Sequence, residues 1–204
     1  MLTAILMNSI KHIQFIDGFI GSALTSGVTS VTFTGHKVGD LLIAIGGSQQ
    51  TADPTYTSGW TKITSFNNTN TNFRVGIIVY KFATSTASET LTFTGTGTST
   101  AFYSSGQIFR NVTGIGASAS ISTAITGITP VYNTPALTLT SNKGSSTLFG
   151  GTYVPYTTTG NNVKTNYDSG NFYILNQNGN YTTAQAQTSG ATGTGACGIV
   201  ELLN

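Results

Sequence analysis

A short apolar run between glycines is the feature that most limits how this chain folds. Residues 41–45 read Leu-Leu-Ile-Ala-Ile, with Gly39 and Asp40 before them and Gly46 and Gly47 after them. The run is much shorter than the roughly 18 apolar residues of a membrane-spanning helix. Because glycine punctuation at both ends is typical of strands, the run predicts a buried β-strand rather than a helix.

Runs in which an apolar residue occupies every second position recur along the chain. Clear examples are residues 30–34 (SVTFT), 73–82 (FRVGIIVYKF) and 90–94 (TLTFT). A period of two is typical of strands, and turn residues separate about ten to thirteen such runs. No long amphipathic helix pattern is visible. The sequence therefore predicts an all-β fold, an antiparallel two-sheet β-sandwich that is jelly-roll-like.

The chain has one tryptophan, Trp60, which follows Gly59 at the end of a polar loop. The alternating residues 61–64 come next. A large aromatic side chain directly after a turn is typical of a core anchor at the start of a strand. We therefore predict that Trp60 is a core anchor.

Charge is scarce in this sequence. Only 7% of residues are charged, whereas 38% are hydrophobic and threonine is the commonest residue type. This apolar content argues against a disordered chain. The formal net charge is only +2 and the basic residues do not cluster, so no nucleic-acid partner is expected. A weakly charged surface suits packing against copies of itself, and we expect a homo-oligomer, with a trimer as its order.

The domain organisation is predicted to be simple. No Pro/Ser-rich linker or charge run divides the chain, so residues 1–204 are expected to form one β-sandwich domain. Residues 1–20 are predicted to be an N-terminal arm or a first edge strand, and Met7 is an alternative start. No secretory-signal pattern and no membrane-length apolar run occurs, so no membrane partner is expected.

One pattern occurs twice. Residues 31–34 (VTFT), a turn and the run that ends in Gly46 and Gly47 resemble residues 137–140 (LTLT), a turn and residues 147–151 (TLFGG). Similar turn chemistry is enough to produce this pattern. We therefore interpret it as a recurring hairpin rather than a true repeat.

No constellation of reactive residues is visible. His12 and His36 lack metal-ligand spacing, also in combination with Cys197, the single cysteine. Cys197 lies in an apolar run and is expected to be a small buried residue. Asp40 precedes a strand and is expected to accept hydrogen bonds from turn N–H groups. The sequence predicts no catalytic residue, no metal site and no cofactor.

Tyrosines are frequent late in the chain. Tyrosine gives apolar area with a polar tip, which suits subunit contacts and sugar stacking. Ordinary packing within loops and strands is the alternative. The candidate interface residues are Tyr153, Tyr156, Tyr167, Tyr173 and Tyr181.

A series of motifs carries a resemblance to a known class of proteins. In order, the motifs are GDLLIAI (residues 39–45), PTYTSGWTKI (54–63), VYKFAT (79–84), TLTFTG (90–95) and IFRNV (108–112). This series resembles β-sandwich proteins encoded by tailed bacteriophages and prophages, often structural proteins of the virion or tail. The match covers roughly residues 31–112.

The resemblance implies a non-enzymatic virion protein that is assembled in the host cytoplasm. The role we expect is a capsid decoration or cement subunit, with the major capsid protein or other virion proteins as partners. A tail or fibre subunit is an alternative. A carbohydrate-binding or adhesion module is another, with Trp60 or the late tyrosines against a glycan. The third is a jelly-roll hydrolase, for which Asp40, Asp53 and Asp168 are the candidates.

Overall fold

The computed structural model describes residues 12–21, 27–48, 52–68, 74–95, 102–121, 131–133, 137–140, 146–152, 163–165, 170–177, 186–188 and 197–204. Within these ranges the chain forms strands and no helix. The strands are β1 (Gln14–Ile20), β2 (Val28–Phe33), β3 (Leu41–Ser48), β4 (Thr55–Tyr56), β5 (Thr61–Asn68), β6 (Arg74–Phe82), β7 (Glu89–Thr94), β8 (Phe102–Arg110), β9 (Gly114–Ile121), β10 (Val131–Asn133), β11 (Ser146–Thr152), β12 (Val163–Thr165), β13 (Gly170–Gln177), β14 (Ala186–Thr188) and β15 (Cys197–Leu203).

These strands form four sheets. The first five-stranded sheet has the order β1-β8-β3-β6-β5, and the second has the order β12-β13-β11-β15-β9. A three-stranded sheet has the order β2-β7-β4, and β10 pairs with β14. Every pairing is antiparallel. The predicted all-β antiparallel sandwich is therefore confirmed, whereas a jelly-roll strand order is not.

The first five-stranded sheet is covered on both faces. On one face Ile43 and Ile45 pack in a common core with Val200 of the second sheet. On the other face Leu42 and Ala44 share a core with residues of the three-stranded sheet. This arrangement explains why β3 is an uninterrupted apolar run, since an alternating strand suits a sheet with one wet face. The described residues thus stack three sheets, one more than a two-sheet sandwich.

The first five-stranded sheet is the central sheet, because the other two sheets cover its two faces. Glycine residues let the three-stranded sheet approach this central sheet closely. A Cβ atom added to Gly46 would lie 2.5 Å from the ring of Phe93, and one added to Gly106 would overlap the ring of Phe33. Both phenylalanines are fully buried. The rings therefore occupy the space that side chains at these two positions would need.

The first described strand lies at an edge of a sheet. β1 pairs with β8 at the edge of the central sheet, so residues 14–20 form an edge strand. Residues 1–11 lie outside the described part of the chain. Among the residues that the structure describes, no helix has the length and apolar character needed to span a membrane.

Candidate functional site

Asp40 and Arg110 form a partly buried ion pair where β3 begins and β8 ends. Arg110 donates from Nε to Oδ1 of Asp40 at 2.8 Å and from Nη2 to Oδ2 at 2.6 Å. The side chain of Asp40 is 3% exposed and that of Arg110 is 28% exposed. Two parallel bonds to one carboxylate are the strong, directional form of this pairing.

The same carboxylate also closes the turn before β3. The backbone N–H of Lys37 donates to Oδ2 of Asp40 at 2.8 Å, which confirms the turn role predicted for Asp40. The turn runs between Gly35 and Gly39, whose φ angles of 75° and 87° favour glycine. Two backbone bonds join it to the end of β6, from Gly39 N–H to Ala83 O and from Ala83 N–H to Asp40 O. Asp40 therefore ties a turn to two strands of the central sheet.

The environment of Asp40 favours its charged form. Burial alone would raise the pKa of this carboxyl. The hydrogen bonds from Arg110 and from the Lys37 N–H, with the charges of Arg110 and His36, outweigh burial and hold the pKa of Asp40 below its ordinary value. The partner responds in the opposite direction, since its bond to Asp40 raises the pKa of Arg110. Asp40 is therefore an ionised structural group at neutral pH.

His36 lies beside this pair. Its side chain is 2% exposed, and neither ring nitrogen has a hydrogen-bond partner among the described residues. No group of three or more His, Cys, Asp or Glu side chains in the described ranges is arranged to hold a metal ion.

Glu201 is a second buried carboxylate, in β15. Its Oε2 accepts hydrogen bonds from the N–H of Ala117 at 3.0 Å, the N–H of Thr140 at 2.8 Å and the hydroxyl of Thr140 at 2.6 Å. Leu137 and Leu139 pack beside it against Ile199 of the same strand. Glu201 thus fastens residues 137–140 to the outer face of the second five-stranded sheet.

Trp60 is 7% exposed and packs in the core between the central and three-stranded sheets. Its ring centroid is 5.5 Å from that of Phe33. This is the position that a core anchor takes, and it leaves little of the indole for a sugar to stack on.

The outer surface of the three-stranded sheet carries side-chain hydroxyls in rows. Ser30 and Thr92 bond through their hydroxyls at 2.9 Å, and Thr32 and Thr90 do so at 3.0 Å. The alternate residues of β2 and β7 face inward, as Val31, Phe33, Leu91 and Phe93 are fully buried. We call this surface the hydroxyl face, formed by Ser30, Thr32, Thr55, Thr90, Thr92 and Thr94.

Most of the sequence candidates for an interface lie outside the described residues. Tyr153, Tyr156, Tyr167 and Tyr181 fall in segments that the structure does not describe, as does Asp168. Tyr173 lies on β13 and Cys197 begins β15, and only their backbone is described.

The sequence missed the hydroxyl face and the partner of Asp40. The alternation of Ser30, Thr32 and their neighbours predicts an exposed row of hydroxyls on one strand. It does not reveal that β2 pairs with β7, which turns single rows into a surface. Arg110 gave no signal either, because it lies 70 residues from Asp40 in the chain.

No protein-family model, no curated protein and no solved structure matches this chain. The resemblance of residues 31–112 to phage β-sandwich proteins therefore depends on its motifs alone.

Proposed function

We propose that this protein is a non-enzymatic structural subunit of a tailed-phage virion that acts through subunit interfaces. A capsid decoration or cement subunit is the specific role proposed, and a tail or fibre subunit is the alternative. The motif series in residues 31–112 and the antiparallel β-sandwich both support this proposal. A virion protein of this kind works by presenting a stable surface to its neighbours.

The observation that carries the proposal is how the fold uses its buried charges. Asp40 is bound by Arg110 and a turn N–H, and Glu201 is bound by two backbone N–H groups and a hydroxyl. Both carboxylates hold turns or segments on a sheet. Such use of charge favours a rigid building unit over a reactive site.

The hydroxyl face is the surface we propose for contact with a virion partner. It carries no charged side chain, so packing against another protein surface would strand no unpaired charge. Four of its hydroxyls pair across strands, Ser30 with Thr92 and Thr32 with Thr90, and the hydroxyl of Thr55 donates to the carbonyl of Thr94. A partner that covers these hydroxyls therefore displaces few hydrogen bonds between the protein and water.

The test measures the mass of the purified protein by light scattering, alone and after mixing with capsids stripped of it. We expect a discrete oligomer that rebinds the shell to saturation at a fixed ratio. Lysines placed on the hydroxyl face, T32K with T92K, should weaken rebinding about tenfold or more, since each buries a charge.

The matched control is T84K with T86K, which places the same two charges in the exposed β6–β7 turn and should rebind like the unmodified protein. A monomer that ignores the shell would contradict the decoration role. Binding on a glycan array would then favour an adhesion module.

A further inference from the structure

The two five-stranded sheets have the same strand order when each half of the chain is numbered separately. The first half runs from β1 to β8 and the second from β9 to β15. The orders are β1-β8-β3-β6-β5 and β9-β15-β11-β13-β12. If the two-residue strand β4 is set aside, seven strands are described in each half. With the strands numbered within each half, the order of neighbours in both sheets is first, seventh, third, fifth and fourth.

The remaining strands also correspond. The second and sixth strands of each half pair with each other, β2 with β7 and β10 with β14. In the first half, Val31 and Phe33 of β2 cover the outer face of the sheet. In the second half, Leu137 and Leu139, which follow β10, cover the outer face of theirs.

One edge of each sheet carries a bulge at the same place. β1 has an extra residue between Phe15 and Asp17, where it pairs with β8. β9 has an extra residue where it pairs with the stretch of β15 from Val200 to Leu202. In both sheets the extra residue belongs to the first strand of the half.

The opposite edge carries a second matching bulge. β5 has an extra residue between Lys62 and Thr64, where it pairs with β6. β12 has one between Val163 and Thr165, where it pairs with β13. Bulges are fixed features of a fold, and two matching pairs are not a consequence of strand order.

The two pairs of bulges also agree in register. Across the neighbouring strand, the bulge in β1 lies level with Leu41 of the central strand β3. The bulge in β9 likewise lies level with Ser146 of the central strand β11. In the same way, the bulge in β5 lies level with Ala44 of β3, and the bulge in β12 lies level with Phe149 of β11. The spacing along the central strand is the same in both halves, so β3 and β11 correspond residue by residue. β13 differs from β6 by one extra residue between Ile174 and Asn176, where it pairs with β11.

Most contacts between the two sheets come in reciprocal pairs; the exception is the contact of β8 with β13, because the described residues of β15 and β6 make no comparable contact. β1 contacts β12, and their counterparts β9 and β5 contact each other. Likewise β3 contacts β13 while β11 contacts β6, and β8 contacts β12 while β15 contacts β5. Contacts that exchange in this way are the mark of an interface with a two-fold axis.

We infer that residues 12–110 and 114–203 are two structural repeats, and that the face between them is a self-association surface that accepts the matching repeat of a second copy. The occupant of that face within one chain is already the other repeat. If the second repeat of another copy takes this place, every contact between the repeats is kept. Such a domain swap therefore costs little free energy. This inference does not depend on a virion role.

The face between the two repeats is apolar, as a self-association surface requires. Its first-repeat side includes Ile43, Ile45 and Ile78, and its second-repeat side includes Val200 and Leu202, all fully buried. Gly198 brings the second repeat close, because a Cβ there would lie 3.1 to 3.2 Å from Thr64, Phe66 and Ile78.

Residues 111–113, the linker, decide which copy supplies the occupant. Asn111 has a left-handed φ of 63° and donates from Nδ2 to the carbonyl of His12 at 2.9 Å. Val112 is buried in the shared core, and the N–H of Thr113 donates to Leu203 O at 2.9 Å. A linker this short leaves no slack, so its length controls whether a repeat reaches its own partner.

The test changes linker length in the full chain and measures mass by light scattering. Deleting Val112 and Thr113 should prevent packing within one chain and give a folded assembly. Its mass should be twice that of a matched variant with four Gly/Ser residues inserted after Val112. A folded deletion variant with the same mass as the lengthened one would overturn the inference.

A second variant decides the matter if the deletion variant does not fold. The chain is split after Val112 and the two pieces are expressed together in one cell. Two repeats that share one interface should purify as a one-to-one complex of 21.2 kDa, the mass of the whole chain. Pieces that separate or precipitate would overturn the inference.

Discussion

Asp40 joins a turn and two strands through one side chain, so its removal tests how far a single residue supports the fold. In D40N the amide keeps one acceptor, but Arg110 loses its charged partner in a mostly buried place. We expect the free energy of unfolding to fall by about 1.5–3 kcal/mol, the range for hydrogen bonds to charged groups. Denaturant titration at neutral pH measures this loss.

The control for D40N is D53N, which removes an exposed ion pair instead. Lys62 and Asp53 are 3.0 Å apart with side chains 44% and 38% exposed. Exposed pairs contribute about 0–1 kcal/mol, so D53N should be nearly neutral. Equal losses in D40N and D53N would show that burial of the Asp40 pair has no energetic weight.

The pKa of Asp40 gives a pH prediction with a definite sign. Because the folded pKa is depressed, the folded state binds its proton more weakly than the unfolded state. The stabilisation is present above the unfolded pKa of about 3.9 and is lost as the pH falls through the folded pKa. The stability gap between the unmodified protein and D40N should therefore shrink below about pH 4. A gap that stays constant to about pH 3 would contradict this role.

At the scale of elements, the close approach of two sheets depends on Gly46. A methyl group there would meet the buried ring of Phe93 at 2.5 Å, so G46A should force the sheets apart. We expect a loss of about 1–3 kcal/mol, as for an overpacked core. The midpoint of urea unfolding measures it, and F93L in the same chain should restore part of the loss.

G114A is the matched control for G46A. A Cβ at Gly114 would lie an ordinary 3.6 Å from Leu203, so its effect should stay within about 0.5 kcal/mol. If G46A is as harmless as G114A, the two sheets are not in the close contact described above.

Glu201 holds residues 137–140 on the second sheet, and E201Q tests that attachment. All three donors from Ala117 and Thr140 bind the one carboxylate oxygen Oε2. The glutamine oxygen that replaces it is uncharged, so it accepts these hydrogen bonds more weakly. Amide hydrogen exchange should accelerate at these two residues. The amide of Thr113, which bonds to Leu203 O, serves as the internal reference. Uniform acceleration at all three amides would mean global destabilisation instead of local release.

At the scale of the whole molecule, periodicity predicts strands well and their arrangement poorly. The run at residues 41–45 predicts β3, and the alternation at 90–94 predicts β7. Alternation reports only how one strand presents its two faces. It does not report which strands become neighbours, so the third layer and the hydroxyl face could not be predicted.

The two structural repeats also show that a sequence pattern does not reveal how strands are arranged. The sequence pattern aligns Gly46 with Gly150, and we interpreted it as a hairpin. Strand pairing aligns Gly46 with Gly151 instead, because Ala44 corresponds to Phe149. Side chains therefore changed while strand order and bulges persisted. The ion pair of Asp40 and Arg110 was equally hidden, since only the pairing of β3 with β8 brings the two residues together.

The most direct measurement of the proposed role is the protein composition of purified phage particles by quantitative mass spectrometry. We predict that this chain is present in intact particles at a fixed ratio to the major capsid protein, and that washing which leaves the shell intact does not change that ratio. Finding the chain only outside the particles would contradict a structural role in the virion.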